Sequence, residues 1–281
     1  MENLPIYIKL IFGLTTFLTM YLFLRATPKP KTIAFFLLAW LTIQSILGLS
    51  GFYTVTDAIP PRFLFLVMPP IMITIRLFAT TKGRKFIDTL DIKTLTILHT
   101  IRIPVELVLF WLFIEKTVPQ LMTFEGRNLD VLSGLTAPLV YYFGFVQKKL
   151  NTKIILIWNF ICLGLLFNIV INAVLSVPTP FQKFGFEQPN IALLYFPFIW
   201  LPCCIVPIVL FAHLVAIRQL LNPSQKISSE KGKEEKITPL VNSLSGIINP
   251  KEDFDYKKDY SDYLINKFNA ERCLCLKTEL C

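Results

Sequence analysis

The sequence predicts an all-α polytopic transmembrane bundle of about seven spans, with its N-terminus outside and its C-terminus in the cytoplasm. Three observations carry this reading. The chain is too apolar for a soluble globule: 54% of its 281 residues are hydrophobic and only 17% charged, where a soluble domain carries about a quarter charged residues. Mean hydropathy is +0.58. The apolar residues gather into seven stretches, and Lys and Arg alternate between the loops that join them.

A bilayer core of about 30 Å takes about 20 apolar residues as a helix. The stretches are 5–24, 32–50, 63–80, 94–115, 129–146, 154–176 and 191–221. The first could be mistaken for a secretion signal. Near the start only Glu2 and Lys9 are charged, and Ala26-Thr27-Pro28 puts a proline where a cleavage site wants a small residue, so it reads as a retained span. The third is short and carries Pro69-Pro70. The fifth is short and diluted by Ser133, Gly134, Thr136 and Pro138. The seventh is long, with Pro197, Pro202 and Pro207 five residues apart.

Loop charge sets the orientation, because Lys and Arg concentrate on the cytoplasmic side. One set of loops holds Arg25, Lys29, Lys31, Lys82, Arg84, Lys85, Lys93, Lys148, Lys149, Lys153 and Arg218; the other holds only Arg62, Lys116, Arg127 and Lys183. The spans make up a domain of residues 1–221. Residues 222–281 form a cytoplasmic tail, ten Lys/Arg against ten Asp/Glu, so the net charge of +9 belongs to the spans. The surplus follows orientation and is not read as nucleic-acid binding. Within the tail, 224–236 has the composition of a disordered linker. Tyr256, Tyr260, Tyr263, Leu264 and Phe268 fall at helical spacings in 253–268, as in an amphipathic helix on the membrane or a cytoplasmic protein partner. Cys162, Cys203 and Cys204 lie in apolar runs and act as small hydrophobes. Cys273, Cys275 and Cys281 lie in the tail, and Cys273-x-Cys275 alone is too few ligands for a metal.

Ionisable side chains inside a bilayer need an explanation. In the fourth stretch His99, Arg102 and Glu106 are spaced i, i+3 and i+7, on one helical face, with Pro104 among them. Counted from the cytoplasmic end at about 1.5 Å per residue, His99 lies about 9 Å in and Glu106 close to the midplane. Arg76, Tyr142, Asn159 and His213 fall at nearly the depth of His99. If these side chains face inward they form a polar layer; Arg76 could equally snorkel to the headgroups. Arg102 and Glu106 could simply pair. Asn168 and Asn172 read as interhelical hydrogen-bonding groups. Before the fifth stretch, Glu125, Arg127, Asn128 and Asp130 make an outer-face polar cluster in which either Asn128 or Asp130 could cap the helix.

No phosphate loop, H-E-x-x-H or G-x-S-x-G pattern occurs. The leading expectation is therefore a small transporter, permease or proton-linked carrier of the plasma or inner membrane. It would take a small-molecule or ion substrate and no cofactor. Glu106 would titrate, Arg102 would hold an anion or tune it, and His99 and His213 would relay protons. The alternatives are a b-type haem protein ligated by His99 and His213, the chain's two histidines, and a receptor-like or scaffolding protein acting through its tail.

Overall fold

Once water is excluded, an apolar run can satisfy its backbone only within a helix or a closed barrel, and helices are what these runs form. The computed structural model describes residues 4–222 and 260–265, with no strand among them. In chain order the main helices are α1 (Ile6–Arg25), α2 (Pro30–Leu49), α3 (Leu64–Ala79), α4 (Thr81–Asp88), α5 (Ile92–Ile114), α6 (Val131–Val146), α7 (Thr152–Val174) and α8 (Leu201–Leu221). Five of them, α1, α2, α5, α7 and α8, are long and apolar enough to cross a membrane. The pair α3 and α4, bent by 93°, makes a sixth if taken as one broken span, and α6 is shorter.

The seventh apolar stretch differs from expectation. Its helix starts at Leu201, and the residues before it hold only a 3₁₀ turn at Ala192–Leu194. Proline gives no backbone donor and keeps the preceding residue out of helical geometry, so Pro197 falls before the helix. Pro202 is tolerated in its first turn. That turn is a π-helix, Leu201–Ile205, before the regular helix Val206–Leu221.

The centre of the bundle is α5 and α8, of which 50% and 67% are buried, against 17% of α2 at the periphery. Helix α5 packs against α1, α6 and α8, and α7 packs against α8. At one end of the bundle the Asp91 amide donates to the Ala26 carbonyl at 3.0 Å. There Arg218 grips Asp88 through Nε and Nη2 at 3.0 and 3.1 Å, and Gln219 donates to the carbonyls of Ile87 and Leu90 at 2.8 and 2.9 Å. These bonds fasten the end of α1, the short α4 and the start of α5 to the last turns of α8. At the other end the Thr117 carbonyl accepts from the amides of Ile191 and Ala192, both at 3.1 Å. Between α2 and α3, Tyr53 is buried and donates its phenol to Gln44; burial pushes that phenol up to about 12.

The bend between α3 and α4 is made at Thr80, whose backbone is extended and whose hydroxyl accepts from the Gly83 amide at 3.1 Å. A Cβ on Gly83 would lie 2.2 Å from the Leu77 carbonyl oxygen, and backbone there cannot move aside as a side chain would. We expect Gly83→Ala to destabilise the purified protein by roughly 1–3 kcal/mol, the range for overpacking. Gly164→Ala, where nothing lies within 4 Å of the new Cβ, is expected to be neutral or mildly stabilising in the same thermal-unfolding assay.

The chain divides into two compact units, Met1–Lys231 and Gly232–Cys281. Of the second, residues 260–265 are helical, with Tyr263 and Ile265 exposed. The remainder of the amphipathic segment 253–268, the linker 224–236 and Cys273, Cys275 and Cys281 lie outside the described residues.

Candidate functional site

The site is built on α5. Asp91 caps its start, accepting from the amides of Lys93 and Thr94 at 3.3 and 3.1 Å. The helix runs regularly over Ile92–Leu98, tightens into a 3₁₀ turn at His99–Ile101, and resumes at Arg102–Ile114. Pro104 has no N–H for the Thr100 carbonyl, and the tightened turn falls where that bond is missing. In a 3₁₀ turn residues i and i+3 eclipse, which brings His99 into line with Arg102. His99, Arg102 and Glu106 are all buried.

Arg102 does not pair with Glu106. Its Nη1 forms a buried ion pair with Asp130 and reaches the Cys162 carbonyl at 3.4 Å, while Nη2 meets His213 Nε2 at 2.9 Å. A guanidinium only donates, so Nε2 of His213 is the acceptor and its proton sits on Nδ1. That proton points to Asn159 Oδ1 at 3.0 Å, and Asn159 Nδ2 donates in turn to the Ile155 carbonyl at 2.9 Å. The bonds thus run in one direction from α5 through α8 into α7. Glu106 is served separately: Asn128 Nδ2 donates to its Oε1 at 2.5 Å and to the Met122 carbonyl at 3.0 Å. Asn128 Oδ1 accepts from the Asp130 amide at 3.0 Å.

This geometry corrects several expectations. Asn128 and Asp130 are buried and belong to the same network as the α5 stripe, while their neighbours Glu125 and Arg127 are exposed, so the outer-face cluster is split. Neither Asn128 nor Asp130 caps α6 through its side chain; Asp130 occupies the cap position but spends its carboxylate on Arg102. Of the five side chains at one common depth, His99, Asn159 and His213 come together. Arg76 and Tyr142 are exposed, and Tyr142 accepts from Gln147 at 2.8 Å on the surface. Asn168 also lies on an exposed face of α7, donating to the Arg127 carbonyl at 2.8 Å, so α7 is not enclosed on all sides.

The haem reading fails on the imidazoles. The rings of His99 and His213 stack at 3.8 Å between centroids with 11° between planes. Axial ligands must instead aim nitrogens at one iron from opposite faces of a porphyrin, and both nitrogens of His213 are already engaged. That engagement also removes His213 from a proton relay, because protonating Nε2 would turn it against a donor-only guanidinium.

Other residues of the site escaped the sequence reading. The Trp158 ring flanks both imidazoles, with centroids 5.7 and 6.0 Å away, and its Nε1 donates to Thr136 at 2.9 Å. Gly134 lets α6 close on α5: a Cβ there would lie 2.9 Å from Ile103 Cγ1 and 3.3 Å from Arg102 Cβ. Gly134, one of the residues that dilute the fifth stretch, is thus what lets α6 approach α5, as small residues do between membrane helices. Among the described residues of this region, His99 Nδ1, Thr100 Oγ1, Arg102 Nε and Glu106 Oε2 are buried polar atoms without a partner. Such atoms are uncommon in native interiors and call for an explanation.

Fold and site together define a class, an all-helical protein whose apolar helices suit a membrane and close around a charged, buried centre. The chain belongs to the family described as a domain of unknown function (DUF8737), which it matches over residues 59–221. That match takes in every residue of the network and leaves out α1 and α2. No curated protein and no solved structure matches the chain.

Proposed function

We propose that the chain is a seven-span protein of the plasma or inner membrane, N-terminus outside and C-terminus cytoplasmic, that works as a small proton-linked carrier with Glu106 as its proton site. The single observation behind the carrier reading is the carboxyl of Glu106. It is buried, it is held through one oxygen by Asn128, and the other oxygen is free to take and release a proton. Arg102 is occupied by Asp130, His213 and the Cys162 carbonyl, so its part is to fix the charge beside Glu106; it is not assigned to holding a substrate anion. His99, with Nδ1 unpartnered, is the relay group in place of His213. The 3₁₀ turn in α5 and the π-helical turns in α6 and α8 give the helices around the centre the irregular backbone that carriers use at mid-membrane sites.

The test is proton flux into vesicles reconstituted with the full chain and loaded with a pH-sensitive dye. Wild type is expected to dissipate an imposed pH gradient faster than empty vesicles, and Glu106→Gln to return the rate to the empty-vesicle level. Flux unchanged by Glu106→Gln would remove that carboxyl from the mechanism.

A second reading concerns the tail. Tyr263 and Ile265 are exposed on the helical residues 260–265, as expected of a segment that docks on a cytoplasmic protein. Deleting 223–281 is then expected to abolish recovery of such a partner while leaving membrane insertion intact.

A further inference from the structure

One flank of the bundle carries a groove with a cavity volume of about 590 Å³, formed by α2, α3 and α8. That is the size range of small-molecule sites, roughly 300–1,000 Å³. Its walls are apolar, with Leu37 and Trp40 from α2, Ile73 and Leu77 from α3, and Ile208 and Phe211 from α8. The polar groups at its surface are already bound within the protein. The Thr74 hydroxyl donates to the Pro70 carbonyl at 3.0 Å, and Trp40 Nε1 to the Cys203 carbonyl at 3.0 Å. Nothing in the lining asks for a polar ligand.

One end of the groove has a different character. It is lined by Phe86 of α4 and by Ile33 in the first turn of α2. Lys82 and Lys85 lie within four residues of Phe86 on α4, and Lys29 and Lys31 within four residues of Ile33 at the start of α2; all four lysines are exposed. No acid occurs between residues 10 and 56, and Asp88 at the end of α4 is bound by Arg218. Asp91, whose amide meets the Ala26 carbonyl, spends its carboxylate on the start of α5, so among the described residues this end of the groove is predominantly basic. An apolar trough with a cationic rim is complementary to a molecule with a long hydrocarbon chain and an anionic head.

We infer that this groove is a binding site for an anionic phospholipid, its acyl chain lying along Trp40, Leu77 and Phe211 and its phosphate held by Lys29, Lys31, Lys82 and Lys85. The assignment rests on the helices being membrane spans. It gives the 93° bend between α3 and α4 a role, because α4 sets Phe86 on the groove and carries the exposed Lys82 and Lys85 on the same two turns.

The test uses the full chain, purified in mild detergent and titrated with phosphatidylglycerol or with phosphatidylcholine of the same acyl chains. Bound lipid is read by native mass spectrometry. Phosphatidylglycerol is expected to be retained at a concentration about tenfold lower, the order expected when lysines meet an anionic head, with the preference shrinking as salt rises. The surface variant Lys82→Glu/Lys85→Glu is expected to lose the preference and keep chain binding. Ala39→Trp, which places a ring in the groove from the peripheral α2, is expected to lose both lipids with an unchanged far-ultraviolet spectrum. Equal retention of the two lipids, or a preference that survives the lysine reversal, overturns the inference. Alkaline carbonate extraction of the expressing membranes separates the two levels. Release of the chain by carbonate defeats the membrane reading itself, whereas a retained chain without lipid preference defeats only the groove assignment.

Discussion

Replacing Arg102 with methionine is expected to destabilise the purified protein by about 3–5 kcal/mol, the cost of stranding one member of a buried ion pair. The partner left behind is Asp130, whose side chain is 7% exposed, and the substitution also strips the donor from His213 Nε2. The second half of the cycle separates pairing from packing. Asp130→Leu alone strands the guanidinium and is expected to cost a similar amount. The double variant removes both charges and is expected to recover more than half of the loss, since an apolar pair of similar volume often replaces a buried ion pair without penalty. Unfolding in mixed micelles measures all four proteins. A double variant as unstable as the sum of the singles would mean that the two side chains do not act as a pair.

Asn128→Leu is the second large effect. This amide serves three groups at once: Glu106 Oε1, the Met122 carbonyl and the Asp130 amide. Leucine has nearly the same volume and offers none of these bonds. Each buried group left unsatisfied costs about 1–3 kcal/mol, so a loss of at least about 3 kcal/mol is expected. The same hexapeptide supplies its own controls. Glu125 is exposed, and Glu125→Ala is expected to stay within about 0.5 kcal/mol of wild type. Arg127→Ala forfeits only the guanidinium over the Phe184 ring, 5.9 Å away, worth under about 1 kcal/mol at an exposed site. Equal damage at all three positions would contradict the split of this segment into buried and exposed halves.

What could be read in the sequence follows from which coordinate each signal reports. Apolar run length locates a helix along the chain, and it found α1, α2, α5 and α7 within a few residues of their observed bounds. It placed the start of α8 ten residues early, because Pro197 leaves hydropathy untouched while it keeps the residues before it out of the helix. Periodicity fixes which residues share a face of one helix, so His99, Arg102 and Glu106 were legible as a group. Counting from the basic ends gives depth. Depth brought His99, Asn159 and His213 together and left the facing of Arg76 and Tyr142 open, because position along a helix axis carries no information on rotation about it. The partner of Arg102 was not legible. Asp130 stands among exposed polar residues in a segment that reads as turn chemistry, and its burial depends on Gly134 letting α6 close against α5. Arg102 and Asp130 are 28 positions apart, and neither hydropathy nor spacing reports contacts between helices.

The most direct test of the central claim, that Glu106 is the protonating group of a buried polar centre, is a pH-difference infrared spectrum of the full chain in lipid vesicles. Wild type is expected to show a carboxylic-acid carbonyl band that changes with pH, is absent in Glu106→Gln, and persists in Glu125→Gln. A band that survives Glu106→Gln would place the proton on another carboxyl, and the carrier reading built on Glu106 would fall with it.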